Sequence, residues 1–176
     1  ILVYTKGSPI PIKSDAYKFF GKGSIAGIPV PVIILIIVFL LAHYILTQTS
    51  YGRSVYAVGG NREAARLSGI RVKTSEFLVY TLNGLMCGMA GLILTARLGS
   101  AQSTSGTGIE MDAIAAVILG GTSLSGGVGF VLPTVVGAMI MGIIDNILTL
   151  MNVNPHATNI VKGAVILIAV LVDKKV

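Results

Sequence analysis

Long apolar runs without charge alternate with short polar segments along most of this chain. A helix needs about 20 mostly apolar residues to cross the hydrocarbon core of a membrane. Several runs reach or approach that length, and their ends are marked by glycine, proline or charged residues. We therefore predict membrane-crossing helices at residues 28–46, 76–96, 130–150 and 156–172.

Composition agrees with an integral membrane protein. The 176 residues are 53% hydrophobic and only 11% charged, whereas soluble domains carry about 25% charged residues. Mean hydropathy is +0.86. The net charge of +6 is then explained by loops on the cytoplasmic side of a lipid bilayer, and it does not indicate nucleic-acid binding. The predicted fold class is all-α, a polytopic transmembrane helix bundle.

The segment between the second and third of these spans has a different pattern. Residues 97–112 are polar and predict a loop, and the apolar residues 113–121 are too few to cross as a helix. A run rich in glycine and serine, "TSLSGGVGF", follows at 122–130. Non-helical backbone at membrane depth is tolerated where protein buries it or where it faces water. We predict a broken crossing at 111–129, a half-helix that continues as extended chain.

The glycine-rich run has two remaining interpretations. A phosphate-binding loop is excluded, because the lysine of GxxxxGK[ST] and a preceding strand are both missing. Broken helices often line transport pathways, which makes Asp112, Thr122, Ser123 and Ser125 candidate pathway residues. Alternatively, the glycines only permit close packing and the hydroxyls bond to backbone. Asn83, beside a stripe of small residues on the second span, is a further pathway candidate.

Asp145 and Lys162 are charged residues inside predicted spans. Each lies about two helical turns from the short connection at 151–155, so an antiparallel hairpin would place both at similar depth. A charge in the bilayer is costly unless it is paired or hydrated. We expect the two side chains to lie within reach of each other or of a polar cavity, as a structural pair or as part of a pathway.

Loop charges predict an orientation. The 47–75 segment carries five Lys or Arg residues and the C-terminal tail carries two, so both should lie in the cytoplasm. That arrangement needs one more crossing between residues 97 and 129, which supports the broken crossing. The four lysines of residues 1–27 would then lie outside, against the usual bias.

A short basic segment predicts a small docking helix within the 47–75 segment. Asn61 is a good N-cap, Glu63 suits the positive end of the helix dipole, and Gly69 suits a left-handed C-terminal position. Two turns at 62–68 are not stable alone in water, so the helix must dock on something. The candidate docking residues are Asn61, Arg62, Glu63, Ala64, Ala65, Arg66, Leu67, Ser68 and Gly69.

The sequence offers no constellation for catalysis, cofactor binding or metal binding. The single cysteine, Cys87, lies in an apolar run and cannot form an internal disulfide. His43 near the end of the first span is a residue of the membrane interface or a ligand contact. A membrane enzyme would need a nucleophile and base or a metal cluster, and neither pattern is present.

Three motifs indicate a family: "YGRSVYAVGGNREAARLSGI", "MDAIAAVILGGTSLSGGVG" and "IVKGAVILIAVLVDKK". Over roughly residues 25–176 the chain resembles the membrane permeases of ribose-type bacterial ABC importers. Such permeases are about twice this length, so the resemblance implies a C-terminal half. It also implies residence in the bacterial inner membrane, and a coupling helix at 61–69 that docks on a separate ATP-binding subunit. The remaining expected partners are an extracytoplasmic sugar-binding protein and a second permease subunit.

The transported solute expected from this resemblance is a pentose or a related small sugar. A nucleoside, a polyol or a sugar-derived signal remains an alternative within the same class. An ion-driven secondary transporter is a different alternative, which would need no ATPase and would concentrate its charges in mid-membrane and not on a cytoplasmic helix.

Overall fold

The computed structural model describes residues 8–173, except for the side chains of residues 155, 156, 172 and 173. Lys6, Lys174 and Lys175, which entered the orientation argument, lie outside the described residues. The helices are α1 (Asp15–Lys22), α2 (Val30–Gln48), α3 (Ser50–Gly60), α4 (Arg62–Leu67), α5 (Val72–Leu98), α6 (Ile109–Leu119), α7 (Val131–Leu150) and α8 (Pro155–Asp173). Four two-residue strands accompany them, β1 (Ile10–Pro11), β2 (Ser24–Ile25), β3 (Ile28–Pro29) and β4 (Ser100–Ala101).

The predicted all-α membrane bundle is confirmed. Among the described residues, α2, α5 and α7 are long and apolar enough to cross a membrane. Most large apolar side chains on them are exposed; in α2, only Val30 is buried. Such helices need lipid or further protein around them. In α8 the apolar stretch is shorter, Ala157–Leu171.

Helix α5 extends beyond the apolar run that predicted it. The second predicted span, 76–96, lies within α5, which has 27 residues from Val72 to Leu98. Helical hydrogen bonding continues into the polar flanking residues Lys73, Thr74 and Ser75. At the start of α2, a two-residue turn at Ala26 and Gly27, both with positive φ, pairs β2 with β3 and sets the first helical residue.

The predicted loop at 97–112 is shorter in the structure than the sequence suggested. The predicted 97–112 loop is wrong at its ends, because α5 continues to Leu98 and α6 already begins at Ile109. Glu110 and Asp112 lie in the first turn of α6, where the helix dipole stabilises acidic side chains. Their polarity, which predicted a loop, belongs to a helix start.

The 47–75 segment contains a second helix in addition to the predicted one. Residues Ser50–Gly60 form α3, and the hydroxyl of Thr49 accepts a hydrogen bond of 3.2 Å from the Gly52 N–H as its N-cap. Sequence analysis did not predict this helix, although Tyr51, Val55 and Val58 recur at helical spacing and are half-buried. It ends directly at Asn61, the residue that begins α4.

The described chain divides into two compact units. The first holds the described residues up to Leu41 together with Glu76–Thr107. There α1 contacts the end of α5 through the Tyr17 hydroxyl, which lies 2.6 Å from Thr95 Oγ1. Strand β1 also pairs with β4 beside this contact. The second unit holds Ala42–Ser75 and the described residues from Gly108 onward.

The core of the second unit is formed by α6, α7 and α8. The half-helix α6 crosses α7 at close range, because Gly137 faces the carbonyl of Ala116 and Gly120 lies against the backbone of Thr134. Either glycine would collide with backbone if it carried a Cβ. The buried residues of this core are Ala115, Ala116 and Met141, with Leu119, Ile144, Val165 and Ile166 packed against them.

Candidate functional site

Both predicted caps of the short basic helix are present. The Asn61 side chain accepts hydrogen bonds from the N–H groups of Glu63 (3.1 Å) and Ala64 (3.0 Å). Gly69 adopts φ +83°, and the Ile70 N–H donates to the Ala65 carbonyl at 3.1 Å. This pattern is the Schellman arrangement that glycine permits at a helix C-terminus. The sequence therefore determines where α4 begins and ends.

The surface of α4 is almost entirely exposed. Ala65 is its buried residue, while Leu67 keeps 81% of its surface exposed. Ala64 is exposed on the same helix.

A basic groove of about 680 Å³ lies beside α4. Its lining contains four cationic side chains and one carboxylate. Arg66 and Glu63 approach to 3.9 Å, but both are exposed, so this ion pair contributes little stability. The groove suits an acidic partner surface. Its lining residues are Arg62, Glu63, Arg66, Arg71, Val72 and Lys73.

The segment 120–129, here called the glycine turn, is folded back on itself. The predicted extended chain is wrong: the Ser123 N–H donates to the Val128 carbonyl at 3.0 Å, and the Gly126 N–H donates to the Ser123 carbonyl at 3.2 Å. Positive φ angles at Gly121, Gly126 and Gly127 allow this closure. The half-helix itself, α6, ends at Leu119, two residues before the end of the apolar run 113–121.

The candidate pathway hydroxyls lie together on the glycine turn. Ser123 Oγ accepts a hydrogen bond of 3.3 Å from the Ser125 N–H, so this hydroxyl stabilises the turn. Thr122 and Ser123 are half-buried and Ser125 is exposed. Of the three, Ser125 is therefore the side chain most accessible to a solute. Asn83 belongs to the first unit, where it is exposed on α5.

The predicted proximity of Asp145 and Lys162 is confirmed. Lys162 Nζ lies 2.9 Å from Asp145 Oδ1 and donates a hydrogen bond of 3.1 Å to Oδ2. The same ammonium lies 2.5 Å from Asp112 Oδ1. The lysine side chain is 10% exposed, and the carboxylates of Asp112 and Asp145 are 26% and 35% exposed. These three residues form an ionic cluster that joins α6, α7 and α8.

The ionic cluster places one cation between two carboxylates, so its net charge is −1. A buried lysine is tolerated when its charge is compensated, and two acidic partners provide that compensation. Sequence analysis did not identify Asp112 as an ion-pair partner of Lys162, because this contact depends on how α6 crosses the α7–α8 hairpin. The available signal in the sequence was an acidic residue at the start of an apolar half-helix.

The glycine turn also contacts α3. Gly126 packs against the carbonyl of Gly59, and Gly127 packs against Gly60. The Tyr56 hydroxyl donates a hydrogen bond of 2.9 Å to the Gly129 carbonyl. Sequence analysis missed this contact, since α3 itself was not predicted.

A cavity of about 500 Å³ adjoins this contact. His43 and Thr47 of α2 line it together with Arg53 and Tyr56 of α3, and residues 127–133 close the opposite wall. His43 therefore lies beside the glycine turn. Within residues 8–173, no group of three or more His, Cys, Asp or Glu side chains is placed to hold a metal ion.

Tyr51 is a second tyrosine on α3. Burial raises the pKa of its phenol, and its buried hydroxyl has no hydrogen-bond partner among the described residues. Tyr51 and Tyr56 thus lie on one helix but differ in what their hydroxyls contact.

Comparison with known proteins gives a consistent result. Residues 4–170 match the family described as branched-chain amino acid transport system / permease component. The ribose import permease protein RbsC of Escherichia coli (strain K12) is 52% identical over 178 residues, which cover 99% of this chain and 56% of that protein. RbsC of Bacillus subtilis (strain 168) is 49% identical over 99% of this chain and 55% of its own length.

A xylose permease is also similar. The xylose transport system permease protein XylH of Escherichia coli (strain K12) is 49% identical over 147 residues, covering 84% of this chain and 37% of that protein. This chain spans about half the length of the ribose permeases it matches. No solved structure matches it.

Proposed function

This chain belongs to the family of branched-chain amino acid transport system permease components, and we propose that it forms the C-terminal part of a bacterial ABC importer's membrane permease. The proposed solute is a pentose or a related small sugar. The observation that carries the proposal is the 52% identity to a ribose import permease, in a match that covers 99% of this chain. The protein lies in the bacterial inner membrane and performs no covalent chemistry.

The ATP-binding subunit docks on α4. Both ends of this helix are capped, so it keeps its shape while it makes few contacts with its own chain. The exposed Leu67 supplies an apolar anchor, and the basic groove beside it attracts acidic side chains of the partner. Closure of the ATP-binding subunits would then move α4 and the segments attached to it.

The pathway for the sugar passes the glycine turn. Non-helical backbone offers N–H and carbonyl groups that helices keep for themselves, and Ser125 adds an exposed hydroxyl. The ionic cluster is a structural element in this proposal, since it holds α6 against α7 and α8 at the root of the turn. A soluble binding protein delivers the sugar on the outer side.

A second permease subunit completes the membrane part. In α5, Gly84, Gly88 and Gly91 lie on one helix face, and a Cβ added at any of them would meet open space. Small residues on an uncovered helix face suit close approach of another helix in lipid. Membrane transporters of this type pair as symmetric or homologous halves.

Co-purification and ATPase measurements test the proposal. Purified transporter that contains this chain should retain an ATP-binding subunit, and its ATPase rate should rise when a ribose- or xylose-loaded binding protein is added. The binding protein without sugar is the matched control. A transporter that binds no ATPase and accumulates solute only along an ion gradient would instead support the secondary-transporter alternative.

A further inference from the structure

Two glycine pairs bring the glycine turn into direct backbone contact with α3. Gly126 faces the carbonyl of Gly59, and a Cβ on Gly127 would lie 2.8 Å from Gly60 Cα. Neither pair has a side chain between the two backbones. A contact of this kind has no rotamer that could absorb a displacement, and packed interiors transmit strain because they are hardly compressible.

Tyr56 adds a directed bond to the same contact. Its hydroxyl donates to the Gly129 carbonyl at 2.9 Å, two residues before α7 begins at Val131. The bond is part-buried and joins residues 73 positions apart in the chain. It therefore fixes α3 to the end of the glycine turn, while the glycine pairs fix α3 to its middle.

No flexible linker separates α3 from α4. The Asn61 N–H donates to the Ala57 carbonyl of α3 at 3.1 Å, and the Asn61 side chain caps α4. One residue thus ends the first helix and begins the second. Only Asn61 separates the two helices.

We propose that the contact of Tyr56, Gly59 and Gly60 with Gly126, Gly127 and Gly129 transmits movement of α4 to the glycine turn. Tyr56 is a positioning residue in this contact. The inference rests on the proposed function, because it assigns the route by which the ATP-binding subunit acts on the pathway. Helix α3 is joined to α4 through Asn61 and contacts the glycine turn, so it is the element between them.

Tyr56→Phe tests the directed bond with almost no change of volume. In the assembled transporter, we expect the variant to bind the ATP-binding subunit normally and to hydrolyse ATP. The sugar transported per ATP should fall about fivefold, the effect of losing one hydrogen bond. Tyr51→Phe is the matched control, because it removes a hydroxyl from the same helix that has no partner among the described residues.

Gly59→Ala and Gly60→Ala test the backbone contact. A methyl group at Gly59 would lie 2.9 Å from the Gly127 nitrogen, whereas one at Gly60 would lie 3.7 Å from Gly127 Cα, an ordinary contact. Both changes place alanine near the end of α3, so their local effects on the helix are similar. We expect a lower ratio of sugar transported to ATP hydrolysed for Gly59→Ala, and a smaller decrease for Gly60→Ala, whose methyl group makes only an ordinary contact.

The outcomes separate this inference from the proposed function. If Tyr56→Phe keeps the unmodified ratio of transport to ATP hydrolysis, or if Tyr51→Phe lowers it equally, the transmission route is overturned. The proposed function would stand in either case, because the unmodified transporter still moves sugar with ATP. If the unmodified transporter moves no pentose and binds no ATPase, the proposed function itself fails and the inference falls with it.

Discussion

At the scale of single residues, Lys162 is a buried cation whose charge is compensated by two neighbouring carboxylates. Its ammonium lies between Asp145 and Asp112, at 2.9 Å and 2.5 Å. Lys162→Met would leave two carboxylates facing each other without a counter-charge, which we expect to destabilise the protein by about 2 kcal/mol. Asp145→Asn leaves the pair with Asp112 and should cost less. Thermal unfolding of the purified protein in detergent measures both.

The double variant sharpens this prediction. Lys162→Met combined with Asp145→Asn removes the repulsion together with the cation, so part of the lost stability should return. Exposed Lys73 provides the control, because Lys73→Met removes a lysine that is not buried. Equal unfolding temperatures for Lys162→Met and Lys73→Met would show that the cluster does not stabilise the fold.

Glycine is required at position 69 because of its backbone conformation, and not because a side chain there would collide with a neighbour. A Cβ there would meet nothing within 4 Å, but its φ is +83°, which costs other residues about 1–2 kcal/mol. We expect Gly69→Ala to loosen the end of α4 and to lower ATP-driven sugar uptake. Gly163→Ala is the control, since that helical position is equally open. Uptake lowered equally by both changes would contradict this explanation.

At the scale of elements, α4 carries the proposed coupling. Arg62 and Arg66 both lie in the lining of the basic groove. Reversing both to Glu should weaken binding of the ATP-binding subunit while the membrane helices stay folded, because neither side chain is buried. Co-purification of the ATPase measures the effect, and Lys13→Glu, at an exposed position outside the groove, is the control. Normal co-purification of the double variant would exclude α4 as the docking element.

The crossing of α6 and α7 depends on one glycine. A Cβ at Gly137 would collide with the Ala116 carbonyl, whereas one at Gly142 on the same helix would meet open space. We expect Gly137→Ala to lower the unfolding temperature and Gly142→Ala to preserve it. If both variants unfold alike, α6 does not cross α7 as closely as described.

The sequence was enough to predict the helices that are determined by residues close together in the chain. Apolar length was enough for α2 and α7, and the capping chemistry of Asn61 and Gly69 was enough for α4. Helix α3 was missed because its apolar positions, Tyr51, Val55 and Val58, are few, and because its contact with the glycine turn depends on tertiary packing. The approach of Asp112 to Lys162 was missed for a similar reason, since it follows from how α6 packs on the hairpin.

At the scale of the whole molecule, the orientation in the membrane is the main open prediction. With Cys87 replaced by serine, Lys73→Cys should be shielded from an impermeant external thiol reagent in intact cells, and Ser103→Cys should react. Both positions are exposed in the structure, so accessibility within the protein does not differ between them. Permeabilised cells provide the control, where Lys73→Cys should also react. Labelling of Lys73→Cys in intact cells would place α4 outside, away from any ATPase.

The central claim is that this chain belongs to a pentose permease driven by ATP, and uptake into proteoliposomes tests it most directly. The assembled transporter, with a ribose- or xylose-binding protein outside and ATP inside, should accumulate that sugar. Uptake should stop when ADP replaces ATP and should persist when ionophores dissipate every ion gradient. Leucine with its own binding protein serves as the comparison that the family description suggests. Uptake that needs an ion gradient but no ATP, or uptake of leucine without either pentose, would contradict the account.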